Sequence, residues 1–322
     1  MAVYTDISED ELFAFIGHYD IGSIISCTGI AEGVENTNYL LLVQQNNQPT
    51  PYILTIFEKR TNIADLPWFL GLMNHVANQH LPVPRPITAK NGEMQHPLAG
   101  KMATLVSFLS GISCRRITPQ HMSALGNMLG KFHLATHSWA ERPNPFGQQS
   151  WHDLYETIAP LAHQKLPELA TLIEDSLEYL HKNWPTSLPK GVLHGDLFPD
   201  NVFFQDHQIS GVIDLYFAAS DFFAYELAIC MNAWCFENDG LLNATKARYF
   251  MQHYHQIRPL SAEEIEALPL LAQGAALRFL LTRLQDWLKP PAGLVRLKDP
   301  QEYARKLRFH QQIRHVGEYG IW

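Results

Sequence analysis

Four polar side chains in one short stretch could together move a phosphoryl group. His194-Gly-Asp-Leu-Phe-Pro-Asp-Asn201 places Asp196 and Asn201 five residues apart, with His194 just ahead, and Asp214 follows after two short apolar runs. The runs, Val202–Phe204 and Ile209–Ile213, are separated by the polar segment Gln205-Asp-His-Gln208, which predicts a β-hairpin. A hairpin there carries Asn201 and Asp214 to the same open end, with Asp196 on the loop leading into it. Mg²⁺ is a hard cation that accepts one or two protein oxygens and fills its other positions with phosphate and water. Asn201 and Asp214 suit that role, and Asp196 suits acceptance of a proton from an attacking hydroxyl. The order His-x-Asp-x4-Asn followed by Asp is that of a kinase catalytic loop and its metal-binding aspartate. The bland alternative is a turn around Pro199 and a capped strand.

Composition narrows the remaining classes. The chain of 322 residues is 46% hydrophobic, enough for a sizeable core, and its net charge of −8 supplies no basic excess for binding nucleic acid. The acidic start Met1-Ala-Val-Tyr-Thr-Asp6 lacks the apolar core of a signal peptide, and no uninterrupted run of 18 apolar residues predicts a membrane span. Cys27, Cys114, Cys230 and Cys235 lack metal-type spacing and read as reduced packing residues, consistent with a cytoplasmic setting.

The elements around the catalytic stretch follow from periodicity. Residues 8–16 predict a helix with a Ser8/Glu11 capping box. Three apolar runs (21–28, 39–43 and 52–57) predict a meander with turns at 29–38 and 46–49. The first connection holds Gly29 and Gly33, where backbone can approach phosphate, and Asn36, Thr37 and Asn38, whose amides and side chains can donate to a nucleotide. Lys59, or Arg60 beside it, is the candidate cation for the ATP phosphates. A helix is expected over 65–79, capped by Asp65; it carries no glutamate to pair with that lysine, leaving Glu35 or Asp65 as partners. Backbone near Ser107–Leu109 is a candidate for adenine. Beyond Thr118 the pattern is mostly helical: 118–137, two segments in 151–183, 222–236, 243–256, 261–288 interrupted near Pro269, and 299–316. His133 and His137 have metal-pair spacing without a third ligand, so a structural role is expected.

These residues also resemble a family. His194–Asn201 with Val212-Ile-Asp-Leu-Tyr-Phe217 resembles the aminoglycoside phosphotransferase and choline kinase superfamily. The segments 29–38, 54–60, 232–237, 276–283 and 307–310 are similar to its homoserine kinase branch, a step of threonine biosynthesis. The resemblance implies an α+β, bilobal protein-kinase-like fold, with a small antiparallel β-sheet lobe (1–109) covering ATP and a larger, mainly helical lobe (110–322) carrying the catalytic loop and substrate pocket. It implies transfer from ATP, with Mg²⁺, to the side-chain hydroxyl of L-homoserine. Asp196 would be the base, His194 a support of the loop, and Asn201 and Asp214 the metal ligands. Gly195 stands where protein kinases carry Arg, in keeping with a small-molecule kinase.

Homoserine bears a carboxylate and an ammonium, so its pocket needs a cation and an acid. Arg278 and Arg283 are candidates for the first; Asp221, Glu226 and Glu237 for the second. The alternatives are a kinase for another small alcohol (choline, ethanolamine, an aminoglycoside or a sugar) and a non-catalytic nucleotide-binding protein of the same fold. Oligomeric state is not legible in the chain.

Overall fold

In a computed structural model, residues 4–31, 36–58, 62–290 and 297–321 are described. The chain divides into two compact units: Met1–Gly111 with Ser210–Tyr216, and Ile112–Ile209 with Phe217–Trp322. The first therefore includes Asp214.

The first unit begins with α1 (Glu9–Ile16), whose Ser8 and Glu11 form the anticipated capping box. The meander follows as β1 (Ser23–Ile30), β2 (Thr37–Gln45) and β3 (Gln48–Ile56). After α2 (Leu66–Asn78) come β4 (His96–Leu98) and β5 (Lys101–Ser107), giving an antiparallel sheet in the order β1-β2-β3-β5-β4. Strict alternation along β2 sends Tyr39, Leu41 and Val43 inward, where they meet Leu54, Ile56 and Leu105 of the sheet and Leu12, Phe15 and Ile16 of α1.

Two boundaries differ from expectation. Asn46 and Asn47 alone make the turn, both at positive φ (50° and 61°), and β3 already includes Pro49 and Pro51. The prolines are tolerated because pairing of β3 with β5 starts only at Tyr52. Asp65 begins α2 without a side-chain cap; Asn62 instead caps the preceding 3₁₀ turn, its Oδ1 accepting from Ala64 N at 3.2 Å.

The second unit is mostly helical. The two-residue strand β6 (Ile112–Ser113) precedes α3 (Pro119–Thr136). Three helices fill the next stretch rather than two: α4 (Gln148–Glu156), α5 (Ala159–Lys165) and α6 (Pro167–Asn183), because Pro160 and Pro167 each open a new helix. Then come β7 (Lys190–Leu193), β8 (Val202–Gln205), β9 (Gln208–Val212) and β10 (Ala219–Phe222). Asp206 and His207, both at positive φ (46° and 66°), make the two-residue turn from β8 into β9, so the predicted hairpin forms. The pairing of β7 with β10, Leu193 opposite Ala219, has no local signal in sequence.

The core of this unit is built on α7 (Phe223–Trp234) and α9 (Ala262–Leu288), with α8 (Ala244–Ile257) and α10 (Pro300–Gln312) around them. Helix α9 runs unbroken through buried Pro269, where an interruption was expected. Packing on several sides outweighs the one lost hydrogen bond. It is long and apolar enough to cross a membrane, but 67% of its most apolar stretch is buried inside the protein. Helix α10 ends at Gln312, short of the predicted end at 316, and a separate 3₁₀ turn follows over Val316–Tyr319.

Candidate active site

The site grows from the turn between β7 and β8. Gly195 sits at φ +79°, and a Cβ there would lie 2.7 Å from the Phe217 carbonyl oxygen, so only glycine fits without distortion. The residues on either side are held one by one. Thr136 Oγ1 donates to Val192 O (2.7 Å). The His194 and Gly195 amides donate to Glu226 Oε2 and Oε1 (3.0 and 2.7 Å). Arg278 Nη1 donates to Gly195 O (2.6 Å), and Trp234 Nε1 to Leu197 O (2.7 Å).

Asp196 stands at the centre of this loop. Its own amide donates to His194 Nδ1 (3.3 Å), and Asn201 Nδ2 donates to both its carbonyl oxygen (2.9 Å) and its Oδ2 (3.2 Å). Burial raises the Asp196 carboxyl above its ordinary range, against the opposing charges of Arg278, His194 and Lys298. The result is a positioned carboxylate of enhanced basicity, as acceptance of an alcohol proton requires.

The support extends outward through Glu226. This carboxylate is fully buried and also accepts from His133 Nε2 (2.8 Å), whose Nδ1 accepts from the Tyr254 hydroxyl (2.7 Å). Burial drives His133 below its usual value and so toward the neutral form. Burial alone would raise Glu226, but the hydrogen bond from His133 and the Gly195 amide hold it low, and so ionised. His133 is thus structural, as expected, and it shares no ligand set with His137.

Asn201 immediately precedes β8, and Asp214, at φ +65°, comes two residues after the end of β9, near half-buried Tyr216. Asn201 spends its amide nitrogen on Asp196, so Oδ1 is the atom of this side chain that could serve a cation. A carboxylate and an amide oxygen are hard donors in the small number Mg²⁺ takes from protein. No group of three or more His, Cys, Asp or Glu forms a metal cluster among the described residues.

Other candidates divide. Gly33, Lys59, Arg60 and Glu35 lie outside the described residues. Gly29 is not in a loop but in β1, opposite Tyr39, and Thr37 and Asn38 belong to β2. The Thr37 hydroxyl, fully buried, accepts from the Tyr4 and Thr5 amides (3.0 and 3.2 Å) and donates to Glu58 (2.8 Å); Asn38 Oδ1 accepts from Thr55 (2.8 Å). Asn36 Oδ1 accepts from Glu58 N (3.2 Å). These side chains tie the start of β2 to β3, to Glu58 just beyond it and to the segment before α1. The Ser107 amide donates to Arg85 O (2.8 Å).

Among the substrate candidates, Glu226 is a loop anchor, Arg283 pairs with Glu302 (2.6 Å), and Glu237 pairs with Lys246 (2.7 Å). Those three charges are satisfied within the protein. Arg278 is buried at 4% exposure beside Asp196. Asp221 accepts from Asn144 Nδ2 (2.7 Å), with burial raising its carboxyl against that bond and the charge of Arg278. Thr136, His133 and Trp234 were not anticipated as loop supports. An apolar helix carrying one His or Thr gives no sign of which backbone group it will meet.

An aspartate on a pinned loop, followed by an Asn and an Asp flanking a hairpin, is the arrangement expected of an alcohol-phosphorylating enzyme of kinase-like α+β fold. The chain belongs to the phosphotransferase enzyme family, whose model matches residues 26–260. It is similar over its whole length to proteins named homoserine kinase. That of Paramagnetospirillum magneticum is 53% identical, with 100% of both chains covered, and that of Rhodospirillum rubrum 48% identical, with 100% of this chain and 99% of the relative. Solved structures with the same fold include an amicoumacin kinase in complex with AMP-PNP, Ca²⁺ and Ami (TM-score 0.67, 16% identity, 95% and 93% of the chains covered). A microcompartment-associated aminopropanol kinase is another (TM-score 0.62, 16% identity, 98% and 99%).

Proposed function

We propose that this protein transfers the γ-phosphoryl group of ATP to the side-chain hydroxyl of L-homoserine, giving O-phospho-L-homoserine for threonine biosynthesis in the cytoplasm. The observation that carries the reaction type is Asp196, half-buried, raised in basicity and held on a loop fixed by Glu226 and Asn201. The full-length likeness to homoserine kinases supports the substrate.

Asp196 orients the alcohol and takes its proton as the oxygen attacks the γ-phosphorus. The bond from that phosphorus to the bridging oxygen of ADP breaks, and ADP leaves with the electron pair. Asn201 Oδ1 and Asp214 would hold Mg²⁺, which when bound neutralises charge on the phosphates. The loop's many hydrogen bonds keep Asp196 from having to reorganise during the step. In this reading the first unit, to about residue 109, covers the nucleotide, with Lys59 on its phosphates. The remainder carries catalysis and the substrate pocket.

The test is ADP release with ATP and Mg²⁺ against L-homoserine, L-serine, choline, ethanolamine and an aminoglycoside. The reading requires L-homoserine to have the highest kcat/KM. A higher value for another alcohol overturns the substrate, and no turnover with any, despite ATP binding, overturns the reaction.

A further inference from the structure

Among the buried side-chain polar atoms of the second unit that lack a hydrogen-bond partner are Arg278 Nε, the Tyr225 hydroxyl and the Tyr303 hydroxyl. Each residue is at most 4% exposed. An orphaned buried donor costs free energy comparable to a lost hydrogen bond, so three near one another call for a ligand. They are near one another: Tyr225 lies within electrostatic range of Arg278 and Asp221, and Tyr303 within range of Arg278 and Asp196.

The guanidinium shows which way the ligand faces. Nη1 is tied to Gly195 O at 2.6 Å, and the plane lies against the Phe279 ring (4.4 Å) and the Phe146 ring (5.1 Å). With Nη1 spent, the remaining fork is the Nε–Nη2 edge, whose two parallel N–H groups match a carboxylate. Other buried or part-buried cations here are already paired: Arg258 with Glu264, Arg283 and Lys306 with Glu302, and Lys246 with Glu237. Asp221, held by Asn144, supplies an acid within electrostatic range of both Arg278 and Tyr225. A zwitterion adds no net charge to this set.

We propose that the Nε–Nη2 edge of Arg278, with the Tyr225 and Tyr303 hydroxyls, clamps the α-carboxylate of the substrate, while Asp221 receives its ammonium. This assignment rests on the reading of Asp196 as the group that meets the substrate hydroxyl. Selection for a hydroxylated α-amino acid over a plain amino alcohol then resides in these four side chains. Arg278 has a second task, positioning Gly195, and the test must separate the two.

The experiment compares L-homoserine with 3-aminopropan-1-ol, which lacks the carboxylate, and 4-hydroxybutyrate, which lacks the ammonium. Each is followed as substrate or competitive inhibitor of the full chain with ATP and Mg²⁺. Arg278→Lys keeps the charge and loses the fork. It should cut kcat/KM or affinity by about 10²-fold for homoserine and 4-hydroxybutyrate, and less than threefold for 3-aminopropan-1-ol. Tyr225→Phe and Tyr303→Phe should each raise the homoserine KM about fivefold without lowering Tm, since they delete hydroxyls that the free protein leaves unpaired. Asp221→Asn should weaken homoserine and 3-aminopropan-1-ol while sparing 4-hydroxybutyrate.

Equal losses for all three compounds in Arg278→Lys, or unchanged KM in both Phe variants, would overturn the clamp. If the wild type ignores homoserine but phosphorylates another hydroxy acid in an Arg278-dependent way, the clamp stands and the homoserine reading falls. A best substrate without a carboxylate overturns the clamp itself.

Discussion

Replacing Glu226 by Gln isolates the anchor that holds the catalytic loop. The carboxylate accepts from His194 N (3.0 Å), Gly195 N (2.7 Å) and His133 Nε2 (2.8 Å), in a fully buried site. A glutamine has one acceptor oxygen where the carboxylate has two. Its best placement keeps oxygen at the Oε2 position, serving His194 and His133, and turns the NH₂ group toward the Gly195 amide. One charge-assisted bond becomes a donor–donor contact, and the other two lose their charge. At about 1.5–3 kcal/mol for a bond to a charged group, the total is about 3–5 kcal/mol. At about 2 °C per kcal/mol in a unit of this size, Tm should fall about 6–10 °C.

Releasing Gly195 also releases Asp196, so kcat should drop about 10²-fold, as for a catalytic group misplaced by an ångström. The KM for ATP should change little. Tyr254→Phe, at the far end of the same chain of bonds, should cost only about 1 kcal/mol and leave kcat within twofold. Differential scanning fluorimetry and a steady-state ADP-release assay read both quantities. A Glu226→Gln protein with Tm within 2 °C and kcat within threefold of wild type would refute the reasoning.

Other consequences follow from the same structure. Burial pushes His310 down to about 3; its Nδ1 accepts from Tyr319 and its Nε2 donates to Asn232, so a second proton would break the first bond. The unfolded chain takes up that proton below about pH 6.5 and the folded chain does not, so stability falls with falling pH. The loss from His310 alone is about 2 kcal/mol by pH 5, readable by urea unfolding, and a flat profile from pH 7.5 to 5 would contradict it. Gly195→Ala must fit a Cβ 2.7 Å from Phe217 O at a φ of +79°; it should fold, with kcat down at least about 10²-fold, and wild-type kcat would be inexplicable here. Because burial raises Asp196 and the base must be ionised, kcat should decline as pH falls through a pKa above the ordinary carboxylate range. A limb at or below pH 4 would argue against that environment.

The catalytic stretch was legible because its signal is local: residue types at fixed offsets, a polar two-residue turn and apolar runs of strand length. The same locality made Ser8, the Asn46–Asn47 turn and the opening of α3 at Thr118-Pro119 readable. What sequence could not supply were pairings between distant segments. Nothing near Leu193 points to Ala219, and nothing in α7 tells Glu226 from a helix-capping acid until its two backbone donors, 31 and 32 residues away, are known.

Thr37 and Asn38 show how residue type leaves a side chain's partner open. Small polar residues next to glycine suggest a phosphate loop; here the Thr37 hydroxyl bonds Tyr4, Thr5 and Glu58, and the Asn38 side chain bonds Thr55 of β3. Proline misled twice, in β3 and in α9, because its cost is a single hydrogen bond that pairing geometry or packing can absorb.

The most direct test is the effect of Asp196→Asn on homoserine-dependent ADP release, measured beside ATP affinity and Tm. Asparagine keeps the shape and the contact with Asn201 but cannot take the alcohol proton. The account predicts kcat down by about 10²–10⁴-fold, with ATP affinity within threefold and Tm not lowered. A kcat within tenfold of wild type would show that Asp196 is not the group on which the transfer depends.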